Sequence, residues 1–265
     1  MFKKRKPFFL NKEFFPNTQV GNKSLSYFRT RLLNKKNSNL NFLIENRFNW
    51  IKKYITKQEI GIEVGCGIGA SKMVLAEYNY TLSDCYELPW TDLVVDAMSL
   101  PFEDESLDYI LISNVIHHLA TPMKFFDEAN RVLKSKGKII MIDVNCSLCM
   151  RFILKTLKHE GYSYNRDPFN RKIPCNNPNE PWSGNNAVTD LLLFDPVRFK
   201  EETKFKIIHN KPFEFLIFLL SGGVSSEFKT INLPEFCLRI FSRLDLFVSY
   251  FSSIFPLSKK IVLQK

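Results

Sequence analysis

A glycine-rich segment near residue 65 most constrains what this sequence can fold into. It reads IEVGCGIGA over residues 62–70 and continues a short apolar run that begins at Ile60. Glycine adopts the positive φ angles of tight turns and lets a ligand approach the main chain closely. An apolar strand that leads through such a turn into a helix is typical of nucleotide-binding α/β folds. The sequence therefore predicts a nucleotide site, with Gly65, Gly67 and Gly69 in its turn.

Apolar runs and helical spacings alternate along the rest of the chain. The pattern predicts strands over 59–64, 80–83, 93–95, 107–113, 138–144 and 260–263, with a turn over 134–137. Helices are predicted over 41–55, 70–78, 122–133, 147–158 and, with many aromatic residues, 234–254. Either of two further apolar runs, 205–208 or 213–220, could be the sixth strand. Strands that alternate with helices indicate an α/β fold with a mostly parallel sheet.

The glycine turn alone leaves two nucleotide cofactors open. Gly65, Gly67 and Ala70 satisfy the dinucleotide fingerprint, and Asp84 lies near where an acidic residue would bind a ribose hydroxyl. A nicotinamide cofactor is therefore possible from this segment. Glu63 favours another ligand, because a dinucleotide-binding strand normally has an apolar residue at that depth and a buried carboxylate is costly unless it is paired.

Three longer blocks resemble the class I S-adenosylmethionine-dependent methyltransferases, of the type 11-like group. They are EVGCGIGA, VVDAMSLPFEDESLDYILISNVIHHL and RVLKSKGKIIMIDV, and they stand in the family's order and spacing over about residues 59–145. The resemblance implies a Rossmann-like seven-stranded sheet, S-adenosylmethionine as cofactor and methyl transfer as activity. The chain departs from the family where only residues 85–92 separate the second and third strands, which is too short for a crossover helix.

The resemblance also assigns roles by position. Glu63 would lie near the amino group of the cofactor, Asp84 would accept from the ribose and Asp96 from the adenine. Because the second crossover is short, Glu87 competes with Asp84 for the ribose. The implied cofactor-binding residues are Glu63, Gly65, Cys66, Gly67, Gly69, Asp84, Asp96, Ala97, Asn114 and Ile116.

A general base is needed only if the acceptor must lose a proton, as a hydroxyl does. His117, His118 and Asp143 lie at the ends of the fourth and fifth predicted strands, and His159 stands in a polar pair with Glu160 after the next helix. These four residues are the candidate catalytic groups, and none is singled out by the sequence.

The acceptor is indicated by weaker features. The runs KHEGYSYNRDPF, PWSGNNAVTDLLLF and LLSGGV are loosely similar to methyltransferases of bacterial surface-polysaccharide loci, which suggests a saccharide or another small molecule. Trp182, Asn185 and Asn186 would suit a sugar. Two alternatives stay open: a nucleic-acid or lipid-linked acceptor, and a non-catalytic binding protein of the same fold.

Positive charge is concentrated at the start of the chain. The net charge is +10, and residues 1–57 hold fourteen Lys and Arg against Glu13 and Glu45, a net of +12, so the remainder sums to −2. This segment could contact phosphates or an anionic surface. Without a secretory signal or a transmembrane segment, the chain is expected to be cytoplasmic. Its scattered cysteines, with a lone CxxC at Cys146 and Cys149, predict no metal site.

The predicted organisation is a basic arm and helix over 1–57, followed by a methyltransferase domain over 58–265. Within that domain, residues 58–145 form the cofactor half and residues 146–204 an acceptor-side insertion, whose Pro- and Asn-rich part is expected to act as a lid. Residues 205–265 supply the last strands and helices. The sequence does not indicate an oligomeric state.

Overall fold

The computed structural model describes residues 13–14, 25–34, 38–158, 160–180, 182–224 and 229–265. The strands are β1 (Glu13–Phe14), β2 (Gly61–Val64), β3 (Tyr80–Asp84), β4 (Leu93–Val94), β5 (Leu107–Ser113), β6 (Leu133–Val144), β7 (Tyr162–Ser163), β8 (Lys206–Phe213) and β9 (Ser258–Gln264). The helices are α1 (Leu25–Leu33), α2 (Ser38–Phe48), α3 (Lys72–Leu75), α4 (Pro122–Val132), α5 (Leu148–Leu157), α6 (Val188–Leu193), α7 (Pro196–Thr203), α8 (Leu216–Ser221) and α9 (Glu235–Val248), with a 3₁₀ helix over Asn49–Lys53.

Seven of the strands in the described part of the chain form one sheet, in the order β4-β3-β2-β5-β6-β9-β8. The five strands from β2 to β6 pair in parallel, whereas β9 runs antiparallel to both β6 and β8. The Rossmann-like, mostly parallel sheet predicted from the sequence is confirmed. The strand order reverses between β2 and β5, and ligands of such sheets bind at that switch point, beyond the carboxyl ends of the strands.

The central strands of the sheet are buried on both faces. Side chains of β2, β5 and β6 alternate between two apolar clusters, so that Ile110 and Ile112 join the side with α4, α6 and α7. Tyr109 and Leu111 join the other side, with α2 and α3. Burial on both faces explains why the run LDYILIS of β5 lacks the polar alternation of a half-exposed strand.

Several element boundaries differ from the sequence-based prediction. The helix after the glycine turn is only α3, four residues long, instead of 70–78. The predicted turn over 134–137 lies inside β6, as an irregularity at which the pairing with β5 shifts and Lys136 takes a positive φ of 65°. The sixth strand is β8, and the second apolar run forms α8.

The connection between β3 and β4 contains no helix, as the eight-residue spacing predicted. Its Trp90 instead packs beside the glycine turn, where Nε1 donates a hydrogen bond of 2.8 Å to the carbonyl of Gly67. The guanidinium of Arg29, from α1, lies 4.6 Å from the centre of the Trp90 ring and donates to the carbonyl of Ile68 at 2.6 Å. An N-terminal helix therefore covers this end of the sheet where the family has a crossover helix.

Candidate cofactor and acceptor site

The glycine turn lies at the carboxyl end of β2. Gly65, Gly67 and Gly69 have positive φ angles of 70°, 50° and 67°. A Cβ atom on Gly65 would stand 2.4 Å from Cγ2 of Val115, in the loop after β5, whereas a Cβ atom on Gly67 would meet nothing within 4 Å. The turn is thus tight against the protein at Gly65 and open at Gly67, where a ligand can approach the main chain.

Glu63 lies beneath this turn and is almost completely buried. Its carboxylate accepts a hydrogen bond from the hydroxyl of Ser71, which in turn accepts one from the hydroxyl of Tyr80 at 3.0 Å. Burial raises the pKa of Glu63 to about 7, although the hydrogen bond from Ser71 offsets part of the rise. The carboxyl group is therefore poised between its two protonation states near neutral pH, and a cationic ligand group would favour the ionised form.

Asp84 ends β3 and faces the same turn. Its Oδ2 accepts a hydrogen bond of 2.8 Å from the backbone amide of Gly67. Cys66 is held by its own amide, which donates to the carbonyl of Ser83 at 2.8 Å, and burial raises the pKa of its thiol. Glu87, the competing ribose ligand, is exposed. The structure therefore brings Asp84, and not Glu87, into hydrogen-bond contact with the glycine turn.

Asp96 and Ala97 follow β4 and lie in a turn of their own. Asp96 is exposed, and its Oδ1 accepts a hydrogen bond of 2.8 Å from the amide of Met98. Ala97 is buried in the apolar cluster on the α4 side of the sheet. Both residues therefore stand beyond the carboxyl ends of the strands, at the edge that carries the glycine turn.

The loop after β5 begins with Asn114, which has a positive φ of 55°. Its backbone N–H donates a hydrogen bond of 2.8 Å to the carbonyl of Ile142. Ile116 is completely buried in the apolar cluster on the α4 side, and its side chain lines no open surface. Val115, between them, is the residue that contacts Gly65. The sequence interpretation missed Val115, because nothing in the pattern tells which side chain of a loop turns toward a neighbouring turn.

A cluster of titratable side chains follows in the same loop. The Nδ1 atom of His117 lies 2.7 Å from Oδ1 of Asp143, near the end of β6, and both side chains are buried. Glu160 approaches from the insertion, with oxygens 3.5 Å from Nε2 of His117 and 3.7 Å from Nε2 of His118. Three of the sequence-predicted catalytic candidates are thus brought together, and the cluster adds Glu160. His159, the fourth candidate, lies outside the described residues.

The two histidines have opposite protonation preferences. Burial would lower the pKa of His117, but the charge and hydrogen bond of Asp143, with a further contribution from Glu160, outweigh it and raise that pKa to about 10. Burial and the adjacent His117 lower the pKa of His118 to about 4. At neutral pH His117 is therefore a cation held by Asp143, and His118 is a neutral imidazole, whose protonation burial and His117 disfavour and Glu160 favours.

The Pro- and Asn-rich segment, residues 161–186, lies over this loop. The side-chain amide of Asn176 donates to the carbonyls of His117 and Leu119 at 2.7 and 3.0 Å. The backbone amide of Asn185 also donates to the carbonyl of His117, at 2.9 Å. These bonds attach the segment to the loop that carries the histidines. The segment also borders an open cavity of about 350 Å³, lined by Arg166, Pro174, Cys175, Asn176, Asn177 and Ser183.

Of the three residues expected to suit a sugar, Asn185 and Asn186 are buried and Trp182 is exposed. The side-chain amides of the two asparagines bind Ser163 and Glu160 together with neighbouring backbone groups. They hold the insertion together. Trp182 is exposed and stacks on Tyr86, with ring centres 6.2 Å apart and planes 13° from parallel. An aromatic pair therefore joins the insertion to the loop after β3, two residues beyond Asp84.

A metal ion has one geometrically suitable location in the described part of the chain. His117, His118 and Glu160 each present a nitrogen or oxygen atom, and these atoms lie within 4.8 Å of one another. Cys146 and Cys149 do not belong to this group. Cys146 is buried two residues before α5, and burial raises the pKa of both thiols.

Comparison with known proteins relates this geometry to a family. Residues 62–141 match the family model described as a methyltransferase domain. An uncharacterised protein of Methanocaldococcus jannaschii is 30% identical over 103 residues, which cover 36% of this chain and 45% of that protein. The demethylmenaquinone methyltransferase of Bacillus mycoides is 25% identical over 151 residues, covering 55% of this chain and 61% of that enzyme. The matches thus span less than two thirds of either relative.

A solved structure resembles the whole architecture. The crystal structure of an S-adenosylmethionine-dependent methyltransferase from Archaeoglobus fulgidus superposes with a TM-score of 0.55 at 16% sequence identity, over 85% of this chain and 94% of that one. The open main chain at Gly67, the carboxylate of Asp84 at the turn and the exposed Asp96 fit a nucleoside cofactor with an amino acid moiety. Residues 62–141 therefore match the methyltransferase domain family, the chain has the fold of the class I S-adenosylmethionine-dependent methyltransferases, and the cofactor that this similarity implies is S-adenosylmethionine.

Proposed function

We propose that this chain transfers a methyl group from S-adenosylmethionine to a hydroxyl group of a small polar molecule, and that the acceptor is a saccharide. The observation that carries the proposal is the cluster of His117, His118 and Glu160. It stands beside the glycine turn, at the end of the sheet where ligands of this fold bind, and a polar insertion lies over it. Such a cluster is useful when the acceptor must lose a proton, as a hydroxyl does.

The cofactor supplies an electrophilic methyl group, and the protein must hold it and align the acceptor. We assign cofactor binding to the main chain at Gly65, Cys66, Gly67 and Gly69, to the carboxylates of Glu63, Asp84 and Asp96, and to Ala97 and Asn114. Ile116, whose side chain is completely buried, is left out of this set. The open side of Gly67 favours contact through the backbone, and the amide bond from Gly67 to Asp84 keeps that carboxylate at the turn.

The two histidines have different roles in proton transfer. His117, which is protonated, keeps a fixed orientation through Asp143 and presents Nε2 toward Glu160. His118 is neutral and accepts the hydroxyl proton. The carboxylate of Glu160, 3.7 Å from Nε2 of His118, stabilises the imidazolium that results. Glu160 thereby couples the insertion to the reaction.

The acceptor class rests on two lines of support. The name of the Bacillus relative describes an enzyme that acts on a small molecule, demethylmenaquinone. The loose similarity of the flanking runs to methyltransferases of surface-polysaccharide loci favours a saccharide, and Trp182, which is half exposed, offers an aromatic face to a sugar ring. A nucleic-acid or lipid-linked acceptor and a purely binding role are the alternatives that the experiment below tests.

Methyl-labelled cofactor tests the proposal directly. Incubated with tritiated S-adenosylmethionine and fractionated cell extract, the protein should label a small hydroxylated fraction, and His118→Asn should reduce the turnover by about 10²–10⁴-fold. Cofactor affinity, measured by calorimetry, should stay unchanged in that variant. His209→Asn, a matched change on β8 outside the site, should keep full activity. Label in RNA, lipid or protein alone, no transfer at all, or an active His118→Asn would contradict the proposal.

Cofactor affinity should depend on pH through Glu63. Burial raises the pKa of this carboxyl group to about 7, but a neighbouring ammonium group of the cofactor requires the carboxylate. As the pH rises toward 7, the dissociation constant for the cofactor should therefore decrease by up to about tenfold per pH unit. Above pH 7 it should become constant. Calorimetry in two buffers of different ionisation enthalpy should detect proton release at pH 6. Glu63→Gln should bind weakly without this pH dependence, and a flat wild-type profile would remove Glu63 from the cofactor site.

A further inference from the structure

Helix α9 turns its apolar side chains away from the protein. Of its 14 residues, only Leu238 and Asp245 are buried. Phe236, Ile240, Leu244 and Phe247 follow one another at helical spacing along the opposite face, and their side chains are 65%, 52%, 46% and 64% exposed. A surface helix normally presents polar side chains to water on that face. This outer face of α9 is therefore not core packing, and its orientation indicates that something else covers it.

The exposed face continues beyond the helix. Tyr250, in the following turn, is 85% exposed, and Phe152 on α5 is 71% exposed. The two parts adjoin, because the amides of Leu148 and Cys149, at the start of α5, donate to the carbonyls of Ser253 and Ile254 at 3.0 and 2.9 Å. We call Phe236, Ile240, Leu244, Phe247, Tyr250 and Phe152 the apolar surface. Contiguous exposed patches of this kind mark interaction sites.

The charges around the apolar surface are mainly positive. Arg239 and Arg243 are exposed on α9, and Lys158 is exposed at the end of α5. Glu235 offsets only Arg239, with which it forms an ion pair. Asp245 faces inward, where it accepts hydrogen bonds from the amides of Leu216 and Ile217. The surface therefore combines exposed aromatic groups with exposed arginine and lysine. This combination suits a partner with an apolar interior and an anionic surface.

We propose that the apolar surface docks this chain onto an anionic lipid bilayer. An amphipathic helix with aromatic groups on one face and cations beside them lies in the plane of the membrane interface. This mode needs no membrane-spanning segment, and no helix in the described part of the chain is long and apolar enough to be one. The proposal does not depend on the acceptor assigned above.

The docked surface borders the methyltransferase site. Asn145, two residues after Asp143, donates its side-chain amide to the carbonyls of Ser252 and Pro256 at 2.8 and 2.6 Å. The segment that follows α9 is thus attached to the carboxyl end of β6, which carries Asp143 of the histidine cluster. Docking would therefore bring the acceptor side of the sheet close to the membrane interface.

Vesicle flotation with the full chain tests the proposal. Vesicles of phosphatidylcholine with about a third phosphatidylglycerol should bind the protein at least tenfold more tightly than vesicles of phosphatidylcholine alone, because each cation near an anionic surface contributes about 1 kcal/mol. The double variant Phe247→Ser with Tyr250→Ser should lose most of this binding. Arg243→Glu should reduce binding to the anionic vesicles more than binding to the neutral ones.

Two controls separate the proposal from its alternatives. Val197→Ser alters a side chain on α7 that is also exposed, at 67%, and should leave vesicle binding unchanged. The thermal unfolding midpoint of each variant should match that of the wild type, because the replaced side chains are exposed. Wild-type protein that binds neither kind of vesicle would overturn the proposal. A stable dimer in light scattering that the double variant dissociates would also overturn it, by assigning the surface to a second copy.

Discussion

Gly65→Ala is expected to lower the free energy of unfolding by about 2–4 kcal/mol and to reduce affinity for S-adenosylmethionine more than about 100-fold. Gly65 has a φ of 70°, which costs a residue with a Cβ atom about 1–2 kcal/mol. In addition, the new Cβ atom would stand 2.4 Å from Cγ2 of Val115, so the turn or the loop after β5 must move. Either movement displaces backbone that we assign to the cofactor. Urea unfolding and calorimetry measure the two effects separately.

Gly67→Ala is the matched control, since its φ of 50° is also positive but its Cβ atom would meet nothing within 4 Å. This variant should lose only about 1–2 kcal/mol of stability, yet it should bind the cofactor poorly because the added methyl group enters the open side of the turn. Val115→Ala removes the two methyl groups nearest to the Gly65 position and should restore part of the stability of Gly65→Ala. Equal stability of Gly65→Ala and Gly67→Ala would show that Val115 does not constrain the turn. The same conclusion would follow if Val115→Ala did not restore stability to Gly65→Ala.

The position of Asp84 at the glycine turn was predictable because its signals are local. A strand, a glycine turn and an acidic residue at the end of the next strand follow one another in sequence, and parallel pairing brings their ends together. Asp84 therefore lies at the turn, within hydrogen-bond distance of the Gly67 amide. The sequence could not tell that Val115 and not Ile116 faces Gly65, because that choice depends on how the loop after β5 packs against the α4 side of the sheet.

The acceptor side was predictable only in outline. In the sequence, Asn185 and Asn186 resemble sugar ligands because they lie in a polar segment. In the structure, their side-chain amides form hydrogen bonds with the backbone of the insertion, which has little regular secondary structure. The orientation of α9 was equally hidden. Its apolar spacing is the same whether the apolar face turns inward or outward, and only the tertiary structure shows that Leu238 and Asp245 take the inner side.

Loss of the Asp143 carboxylate is expected to have the second large effect. Asp143 is completely buried, and it accepts hydrogen bonds from His117 Nδ1 and from the amides of Val144 and Ile116, at 2.7, 2.7 and 3.1 Å. Asp143→Asn keeps the shape but turns an amide group toward at least one of these donors and leaves the His117 cation without its partner. Breaking a buried ion pair from one side costs about 3–5 kcal/mol, so urea unfolding at pH 7 should detect a loss of that size.

The pH dependence of that loss identifies its cause. The pKa of His117 is about 10 in the folded protein, above the ordinary value of 6.5, so its contribution to stability is fully present below pH 6.5 and is lost as the pH rises through 10. The wild-type advantage over Asp143→Asn should therefore shrink between pH 7 and pH 10. Asp108→Asn, which removes a partly exposed carboxylate paired with Lys134 at 2.9 Å, should leave the slope in this window unchanged. A constant difference between the wild type and Asp143→Asn across the window would mean that the side chain acts through its neutral hydrogen bonds alone and that His117 is not the cation.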